Sequence, residues 1–271
     1  MLGEIVSQSR KCRPLVHCMT NYVTANDCAN ILLACGGSAI MADDPDEAAE
    51  ITAACGGLVL NMGTPNPRRL EALLRAGQAA NRLGHPVVLD PVGVGSSAMR
   101  REAGKRLLAS VRFAAIRGNA TEIAALVHGT AAHRGVDADE AGGNGADGAE
   151  ESAVRLARES GAIVVATGNT DIVTDGKTVY RVHNGHSMMQ AVTGAGCQLS
   201  ALLGAYVTAN PDRPLQAALA AVCAMGLCGE IAHARLSPQD GNASYRNYII
   251  DAVFRLTPET LERGARYETD R

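Results

Sequence analysis

The chain has 271 residues and a formal net charge of −3 at pH 7, with no concentrated block of basic residues, which excludes the electrostatic surface that nucleic-acid binding needs. Hydrophobic residues make up 46% and aromatic residues only 3%, so we expect a globular core of aliphatic side chains. The longest apolar run, residues 217–229, is shorter than the roughly 18 residues of a membrane span, and the N-terminus lacks a secretory signal, so we expect a soluble cytoplasmic protein.

Short apolar runs alternate with amphipathic stretches along the chain. Six short runs are largely apolar, as buried strands are: residues 16–18, 38–41, 58–60, 87–89, 113–116 and 163–166. Helical patterns lie between them, at residues 23–35, 46–54, 67–83, 100–108 and 121–127. This alternation with short connections predicts a mostly parallel α/β sheet with helices on both faces.

The later part of the chain continues the same pattern. Residues 129–150 are rich in Gly, Ala and Asp and predict a surface loop. Residues 171–174 and 178–182 flank Asp175-Gly176, which is typical of a hairpin turn. Helical stretches at residues 196–209, 214–236 and 242–256 close the chain, and without an internal repeat we predict a single domain over residues 1–271.

The cysteines and histidines do not form a metal-binding pattern. None of the eight cysteines lies in a C-x-x-C pair, and the seven histidines show neither H-x-x-x-H nor H-E-x-x-H spacing, so a zinc site is not expected. Most of the cysteines should be reduced residues of the core. Cys197 is the exception because of its neighbours.

Cys197 ends the sequence Thr193-Gly194-Ala195-Gly196-Cys197, directly before an apolar helical stretch. Glycine-rich helix starts let backbone N–H groups converge on an anion, and the helix N-terminus adds partial positive charge. The same partial charge should stabilise the Cys197 thiolate and lower the thiol pKa. A tight turn with a buried cysteine is the alternative that this pattern leaves open.

Two acidic residues follow predicted strands. Asp90 ends the apolar run 87–89 and could meet a metal or phosphate charge, or simply cap a turn before Pro91. Glu122 lies three residues after Asn119 at a helix start, where it could hold Mg²⁺ through waters. Asn-x-x-Glu also resembles a capping box that needs no ligand, and by itself the pattern favours this structural interpretation.

Other nucleotide-binding patterns are weaker. Gly93-Val94-Gly95-Ser96-Ser97-Ala98 fits the dinucleotide fingerprint, but residues 90–92 separate the glycines from the strand and no acidic residue ends the next one. Gly176-Lys177-Thr178 lacks the first glycine of a P-loop. Thr167-Gly168 ends a strand at the same predicted sheet edge, where Thr167 could bond a phosphate or cap the strand.

Taken in order, these segments resemble the hydroxyethylthiazole kinase family over essentially the whole chain. The resemblance rests on Leu89 to Gly95, read as L-D-P-V-G-V-G, and on the Gly-x-Gly-Cys ending at Cys197. The other matching segments are residues 21–26, 41–42, 61–64, 117–122 and 167–168. Most ribokinase-like enzymes carry Asp where this chain has Cys197, so this cysteine favours the thiazole kinases over sugar or pyrimidine kinases.

The resemblance implies a three-layer αβα ribokinase-like fold without a separate lid domain, and ATP-dependent phosphorylation of 4-methyl-5-(2-hydroxyethyl)thiazole with Mg²⁺. It also implies a homotrimer with active sites between subunits. The site residues that it implies are Cys197 as the base; Met41, Gly194 and Asn21 at the thiazole; Arg117, Thr167, Gly168, Asn119 and Gly196 at ATP; and Asp90 and Glu122 near the metal. Another ribokinase-like activity, such as pyrimidine kinase or nicotinamide-hydrate repair, and a non-catalytic nucleotide-binding homologue stay open as alternatives.

Overall fold

The structure, a computed structural model, describes residues 1–129 and 145–270 and contains a nine-stranded mixed sheet. Its strands are β1 (Leu15–Met19), β2 (Ser38–Ile40), β3 (Gly57–Asn61), β4 (Val87–Asp90), β5 (Ala115–Asn119), β6 (Ile163–Thr167), β7 (Asp171–Thr174), β8 (Val179–Val182) and β9 (Tyr267–Asp270). They lie in the order β2-β1-β3-β4-β5-β6-β7-β8-β9. Strands β1 to β6 run parallel, and β7, β8 and β9 extend the sheet in antiparallel pairs.

Helices cover both faces of the sheet. In chain order they are α1 (Leu2–Cys12), α2 (Ala25–Ala34), α3 (Ala48–Ala54), α4 (Pro67–Leu83), α5 (Ala98–Ser110), α6 (Ala120–His128), α7 (Gly145–Ser160), α8 (Ala195–Ala209), α9 (Pro214–Ala234), α10 (Asn242–Arg255) and α11 (Pro258–Gly264). Buried residues of α1, α2 and α8 to α11 form one apolar core with the sheet, and those of α3 to α7 form the other. The predicted three-layer arrangement around a mostly parallel sheet is confirmed.

The predicted loop over residues 129–150 is wrong at its C-terminal end. Residues 145–150 form the start of α7, because the following turns bury Ala153, Leu156 and Ala157 against the sheet and this packing outweighs the poor helix propensity of the glycines. Residues 130–144 lie outside the described part of the chain. Helices α1 and α11 and strand β9 were not predicted from the sequence.

Strand β5 also differs from its prediction. It runs over Ala115–Asn119 instead of residues 113–116, so Arg117 and Gly118 lie within the strand and not after it. The backbone of this polar end pairs with β6, where Asn119 is the register partner of Thr167. Because parallel strands end at one edge, this extension brings Arg117 to the same edge as the end of β4.

Helix α9 is 21 residues long and apolar enough to cross a membrane by length and composition. In the fold, 78% of its apolar window is buried inside the protein, where it packs against α8, α10 and α1. These contacts identify α9 as a core helix.

Gln198 of α8 gives a prediction about stability. Its side chain is fully buried, and neither Oε1 nor Nε2 has a hydrogen-bond partner among the residues that the structure describes. Since unpaired buried amides are costly, Gln198→Leu is expected to raise the free energy of unfolding by about 1–2 kcal/mol and Tm by about 2–8 °C. Urea and thermal unfolding measure this, with half-buried Gln216→Leu as the control. A lower Tm for Gln198→Leu would mean that the amide has a stabilising partner.

Candidate active site

A buried carboxylate lies at the carboxyl edge of the parallel strands. Asp90, the last residue of β4, is fully buried, and its Oδ2 accepts hydrogen bonds from Asn61 Nδ2 at 2.8 Å and Ser200 Oγ at 2.9 Å. Oδ1 has no hydrogen-bond partner in the described part of the chain, and Arg117 Nη1 lies 3.9 Å away. Burial raises the pKa of Asp90, while Arg117 and the two hydrogen bonds oppose the rise. One oxygen is therefore fixed and the other is available to a ligand.

The Cys197 thiol lies beside this carboxylate in the first turn of α8. Its Sγ is within hydrogen-bond distance of two amide donors, Asn61 Nδ2 at 3.2 Å and Asn21 Nδ2 at 3.5 Å. Burial and then the negative charge of Asp90 raise the pKa of Cys197 to about 12. The expected lowering of this pKa is therefore wrong, because burial next to a carboxylate outweighs the helix N-terminus. At neutral pH the residue is a thiol.

Asn61 connects these two groups, although sequence reasoning assigned it no role. Its Oδ1 accepts hydrogen bonds from Gly63 N at 2.8 Å and Asn21 Nδ2 at 3.1 Å. This orientation leaves Nδ2 facing both Asp90 and Cys197. A sequence signal did exist, since Asn61 ends β3 and is the register partner of Asp90 on the neighbouring strand.

Ser200 is a second residue that the sequence analysis did not single out. It follows Cys197 by three positions, which places both on one face of α8. Its hydroxyl donates to Asp90 Oδ2. The helical spacing from Cys197 was the signal that could have found it.

Glu122 has two structural partners. Its Oε2 accepts the Asn119 N–H at 2.9 Å while Asn119 Oδ1 accepts the Glu122 N–H at 2.8 Å, so the capping box of α6 is present. Its Oε1 accepts the Gly93 N–H at 2.7 Å and ties the loop after β4 to α6. Burial, followed by the charge of Asp90, raises the pKa of Glu122. The carboxylate is held rigidly close to the Asp90 charge.

The residues expected at ATP lie at the same edge. Arg117 Nη2 donates to Thr167 Oγ1 at 2.7 Å, and Arg117 Nε is buried without a hydrogen-bond partner among the described residues. A Cβ atom on Gly196 would lie 2.3 Å from Arg117 Nη1, so only glycine allows the guanidinium this close to the start of α8. Gly168 N donates to Asp171 Oδ1 at 2.9 Å, which fixes the turn after β6.

The expected thiazole residues are less closely grouped. Gly194 has a φ of +86°, and a Cβ there would lie 2.5 Å from Thr24 Cγ2, so the turn before α8 requires glycine. Asn21 joins the Cys197 group directly. Met41 follows edge strand β2, three strand spacings or about 14 Å from β4, and is 39% exposed. Met41 lies along the same sheet edge but outside the polar cluster.

Comparison with known proteins bears on this geometry. A family model described as the hydroxyethylthiazole kinase family matches residues 6–259. A relative named hydroxyethylthiazole kinase from Clostridium acetobutylicum is 51% identical over 272 aligned residues, which cover 99% of this chain and 100% of the relative. The chain belongs to the hydroxyethylthiazole kinase family. Another relative of that name, from Methanocella arvoryzae, is 43% identical over 260 residues and covers 96% of this chain and 95% of the relative.

Solved structures support the family and the fold. A hydroxyethylthiazole kinase protein from Pyrococcus horikoshii OT3 superposes with a TM-score of 0.89 and 31% identity, covering 100% of this chain and 99% of that one. A pyridoxal kinase from Staphylococcus aureus in complex with AMP-PCP gives a TM-score of 0.65 at 13% identity, covering 94% and 97%, and shows the shared fold alone. The predicted kinase family and ribokinase-like fold are confirmed.

Proposed function

We propose that this chain transfers the γ-phosphoryl group of ATP to the hydroxyl of 4-methyl-5-(2-hydroxyethyl)thiazole, in the cytoplasm and for thiamine biosynthesis. The observation that carries the proposal is the connection from Asp90 through the Asn61 amide to Cys197, at the glycine-rich start of α8. Family membership supports the substrate. The site thus combines an acidic group, an anion-binding helix start and a proton acceptor.

The mechanism follows from charge and position. Phosphoryl transfer passes through a loose transition state, so orientation and charge neutralisation dominate. The backbone N–H groups of Gly194, Gly196 and Cys197 would face the transferring phosphoryl group, while that of Ala195 donates to Val192 O at 3.3 Å. Arg117 would pair with phosphate oxygens. Thr167, Gly168 and Asn119 would line the nucleotide side of the site, next to Arg117 and Gly196.

The thiolate form of Cys197, which has already lost its proton to solvent, would receive the hydroxyl proton late in the reaction. Because the pKa of Cys197 is about 12, only a very small fraction of the enzyme carries the thiolate at neutral pH, although that thiolate is a strong base. The loose transition state tolerates such a base, because bond making to the acceptor oxygen lags bond breaking. Asn21 and Asn61 would keep Sγ aimed at the hydroxyl through their amide donors.

The acidic residues fit Mg²⁺. Asp90 Oδ1 is a buried acceptor that lacks a partner in the described residues, and the Asp90 charge acts on Glu122. Among the described residues there is no group of three His, Cys, Asp or Glu side chains that could hold a metal alone. Mg²⁺ typically uses one or two carboxylates together with waters and substrate phosphates, so Asp90 and Glu122 would hold it with ATP. The bound ion supplies neutralisation of the phosphate charge.

Glu122→Gln tests this role. The variant places an NH₂ group against the N–H of Gly93 or Asn119, so one hydrogen bond is lost and stability falls by about 1–2 kcal/mol. Removal of the charge is also expected to raise the Mg²⁺ concentration for half-maximal turnover several-fold. Turnover measured across a Mg²⁺ titration gives this value.

The matched control is Thr257→Ala, which removes the N-cap of α11. It should lose comparable stability, typically about 1 kcal/mol, with unchanged Mg²⁺ dependence. If Glu122→Gln loses stability but keeps the wild-type Mg²⁺ dependence, Glu122 serves only the capping box and the loop.

The family resemblance also supports a homotrimer with active sites between subunits. Large apolar side chains are exposed at and beside the expected thiazole residues: Tyr22 at 80% and Val23 at 58%, which follow Asn21, and Met41 at 39%. A partner subunit would cover them. Light scattering should give three times the 28.1 kDa chain mass, and dilution below the assembly range should reduce activity and Tm together. A fully active monomer would contradict the trimer.

Turnover with a panel of alcohols tests the proposed function. Hydroxyethylthiazole should be phosphorylated with the highest kcat/KM, ahead of hydroxymethylpyrimidine and pyridoxal, and ³¹P NMR should place the phosphate on its hydroxyl. A preference for a pyrimidine would support the pyrimidine-kinase alternative. ATP binding without turnover of any alcohol would support a non-catalytic homologue.

A further inference from the structure

A buried arginine lies behind the expected thiazole residues. Arg69 is in the first turn of α4, and its side chain is only 6% exposed. Its Nη2 donates to the backbone carbonyls of Met19 at 3.0 Å and Thr20 at 2.5 Å. Its Nη1 donates to Asp43 Oδ2 at 2.6 Å. Burying a guanidinium costs free energy, and these hydrogen bonds offset part of that cost. A buried arginine with such contacts therefore points to a defined role for this side chain.

The contacts join two segments that are separate in sequence. Met19 is the last residue of β1, and Thr20 follows it directly before Asn21. Asp43 follows Met41 by two residues in the loop after β2. The planar guanidinium fixes its donors in one geometry, so it sets the spacing between the segment that carries Asn21 and the segment that carries Met41.

A second buried side chain holds the same loop. His17 Nε2 lies 2.8 Å from the carbonyl oxygen of Ala42, and since a carbonyl only accepts, this nitrogen must be the donor. His17 Nδ1 lies 2.8 Å from Thr52 Oγ1. Ala42 lies between Met41 and Asp43, so His17 anchors the loop beside the contact of Arg69. The loop therefore cannot shift without breaking buried hydrogen bonds.

The next arginine provides an internal comparison. Arg68 Nη2 lies 2.7 Å from Asp44 Oδ2. Arg68 and Asp44 are the sequence neighbours of Arg69 and Asp43, so the two ion pairs join the same two segments. Their side chains are 67% and 48% exposed. Exposed pairs of this kind contribute little to stability or geometry. Asp43 is exposed as well, at 66%, so the two pairs differ in the burial of the arginine and in the backbone carbonyls that Arg69 also binds.

We propose that Arg69 is a positioning residue for the alcohol substrate, which holds Asn21 and Met41 at the spacing that binds the thiazole ring. The inference rests on the proposed function. Because Arg69 does not touch the Arg117 and Thr167 group, its loss affects the alcohol and leaves nucleotide binding unchanged.

Steady-state kinetics of Arg69→Met and Arg68→Met test the proposal. Arg69→Met is expected to raise KM for hydroxyethylthiazole about tenfold or more, because displaced binding groups cost affinity, and to leave KM for ATP within about twofold. Arg69→Lys keeps the positive charge but not the planar pair of guanidinium donors, so its KM for the alcohol should lie between those of the wild type and Arg69→Met. Arg68→Met should behave like the wild type in both constants.

Other outcomes would overturn the inference. Equal increases in both KM values, or a lower Tm with unchanged KM values, would make Arg69 purely structural. If Arg69→Met does not fold, Asp43→Ala removes the acceptor through which Arg69 Nη1 holds the loop after β2, and an unchanged KM for the alcohol in that variant contradicts the proposal. A further variant separates the inference from the proposed function. If the wild type phosphorylates hydroxyethylthiazole but Met41→Ala has an unchanged KM for it, the proposed function stands and the positioning role of Arg69 is wrong.

Discussion

Asp90→Asn is expected to lower kcat/KM for hydroxyethylthiazole phosphorylation by about two to three orders of magnitude, since charge stabilisation in a buried site is typically a large part of catalysis. The folded state should lose little stability, because removal of a buried charge offsets the loss of the Arg117 counter-charge 3.9 Å away. The introduced amide can keep accepting from Asn61 and Ser200 through its oxygen, while its NH₂ replaces the unpaired Oδ1. Burial already disfavours the charge, because it raises the pKa of Asp90. In the proposed role, the carboxylate is maintained for catalysis at some cost in stability.

Kinetics and thermal unfolding of the same preparations measure both effects. Asp27→Asn is the control, since Asp27 is also buried and lies 3.8 Å from Arg246, outside the polar cluster. It should leave kcat/KM unchanged. An Asp90→Asn variant with wild-type activity, or one that loses activity only because it unfolds, would remove Asp90 from the catalytic site.

Replacements at Cys197 should separate catalysis from packing. Cys197→Ser and Cys197→Ala remove the ionisable thiol and should reduce turnover by about 100-fold, the low end of the usual general-base contribution, because a loose transition state asks little of a base. Cys197→Asp introduces a carboxylate at the same place. Burial and the charge of Asp90 should raise the pKa of this carboxylate, but the pKa should stay below that of the thiol. More base is then present at neutral pH, and turnover should be retained or increased.

The pH dependence gives a second measurement on these variants. Because burial raises the pKa of Cys197 to about 12, the thiolate fraction of the wild type grows throughout the range from neutral to alkaline pH. Wild-type turnover should therefore rise with pH, and that of Cys197→Asp should be much flatter above neutrality. An order in which Asp is the most damaging change and Ala behaves like the wild type would mean that Cys197 only packs.

The strands were largely predictable because a buried parallel sheet uses continuous apolar runs. This signal located β1 to β4 and β6. It ended too early in β5, because Arg117 and Gly118 are not apolar although their backbone groups still pair with Val165 and Ala166. A ladder is held by main-chain hydrogen bonds, so its end cannot be read from side-chain polarity alone.

Elements fixed by distant contacts were not predictable. Helices α1 and α11 pack on each other, and the N-terminal amine lies 3.1 Å from Glu262 Oε2. Strand β9 pairs with β8 through Tyr267 and Val182. These pairings join residues from opposite ends of the chain or across the closing helices, and no local periodicity records them.

The site was partly predictable. Asp90 was recognisable because it ends an apolar strand pattern, and Cys197 because it follows glycines at the start of an apolar helical stretch. The structure brings the two residues together through Asn61. The pKa of Cys197 was predicted in the wrong direction, since the helix start is visible in sequence but burial beside Asp90 is not. Arg69 gave no local signal, because its partners are two backbone carbonyls and a loop residue.

A double-mutant cycle tests most directly the central claim that Asp90 and Cys197 work together in one catalytic site, connected through the Asn61 amide. The measurement is kcat for hydroxyethylthiazole phosphorylation in Asp90→Asn, Cys197→Ala and the double variant. Residues that share a hydrogen-bonded network are strongly non-additive, so the double variant should be within about tenfold of the slower single variant. Losses that multiply fully would show that the two residues act independently, and would contradict the account.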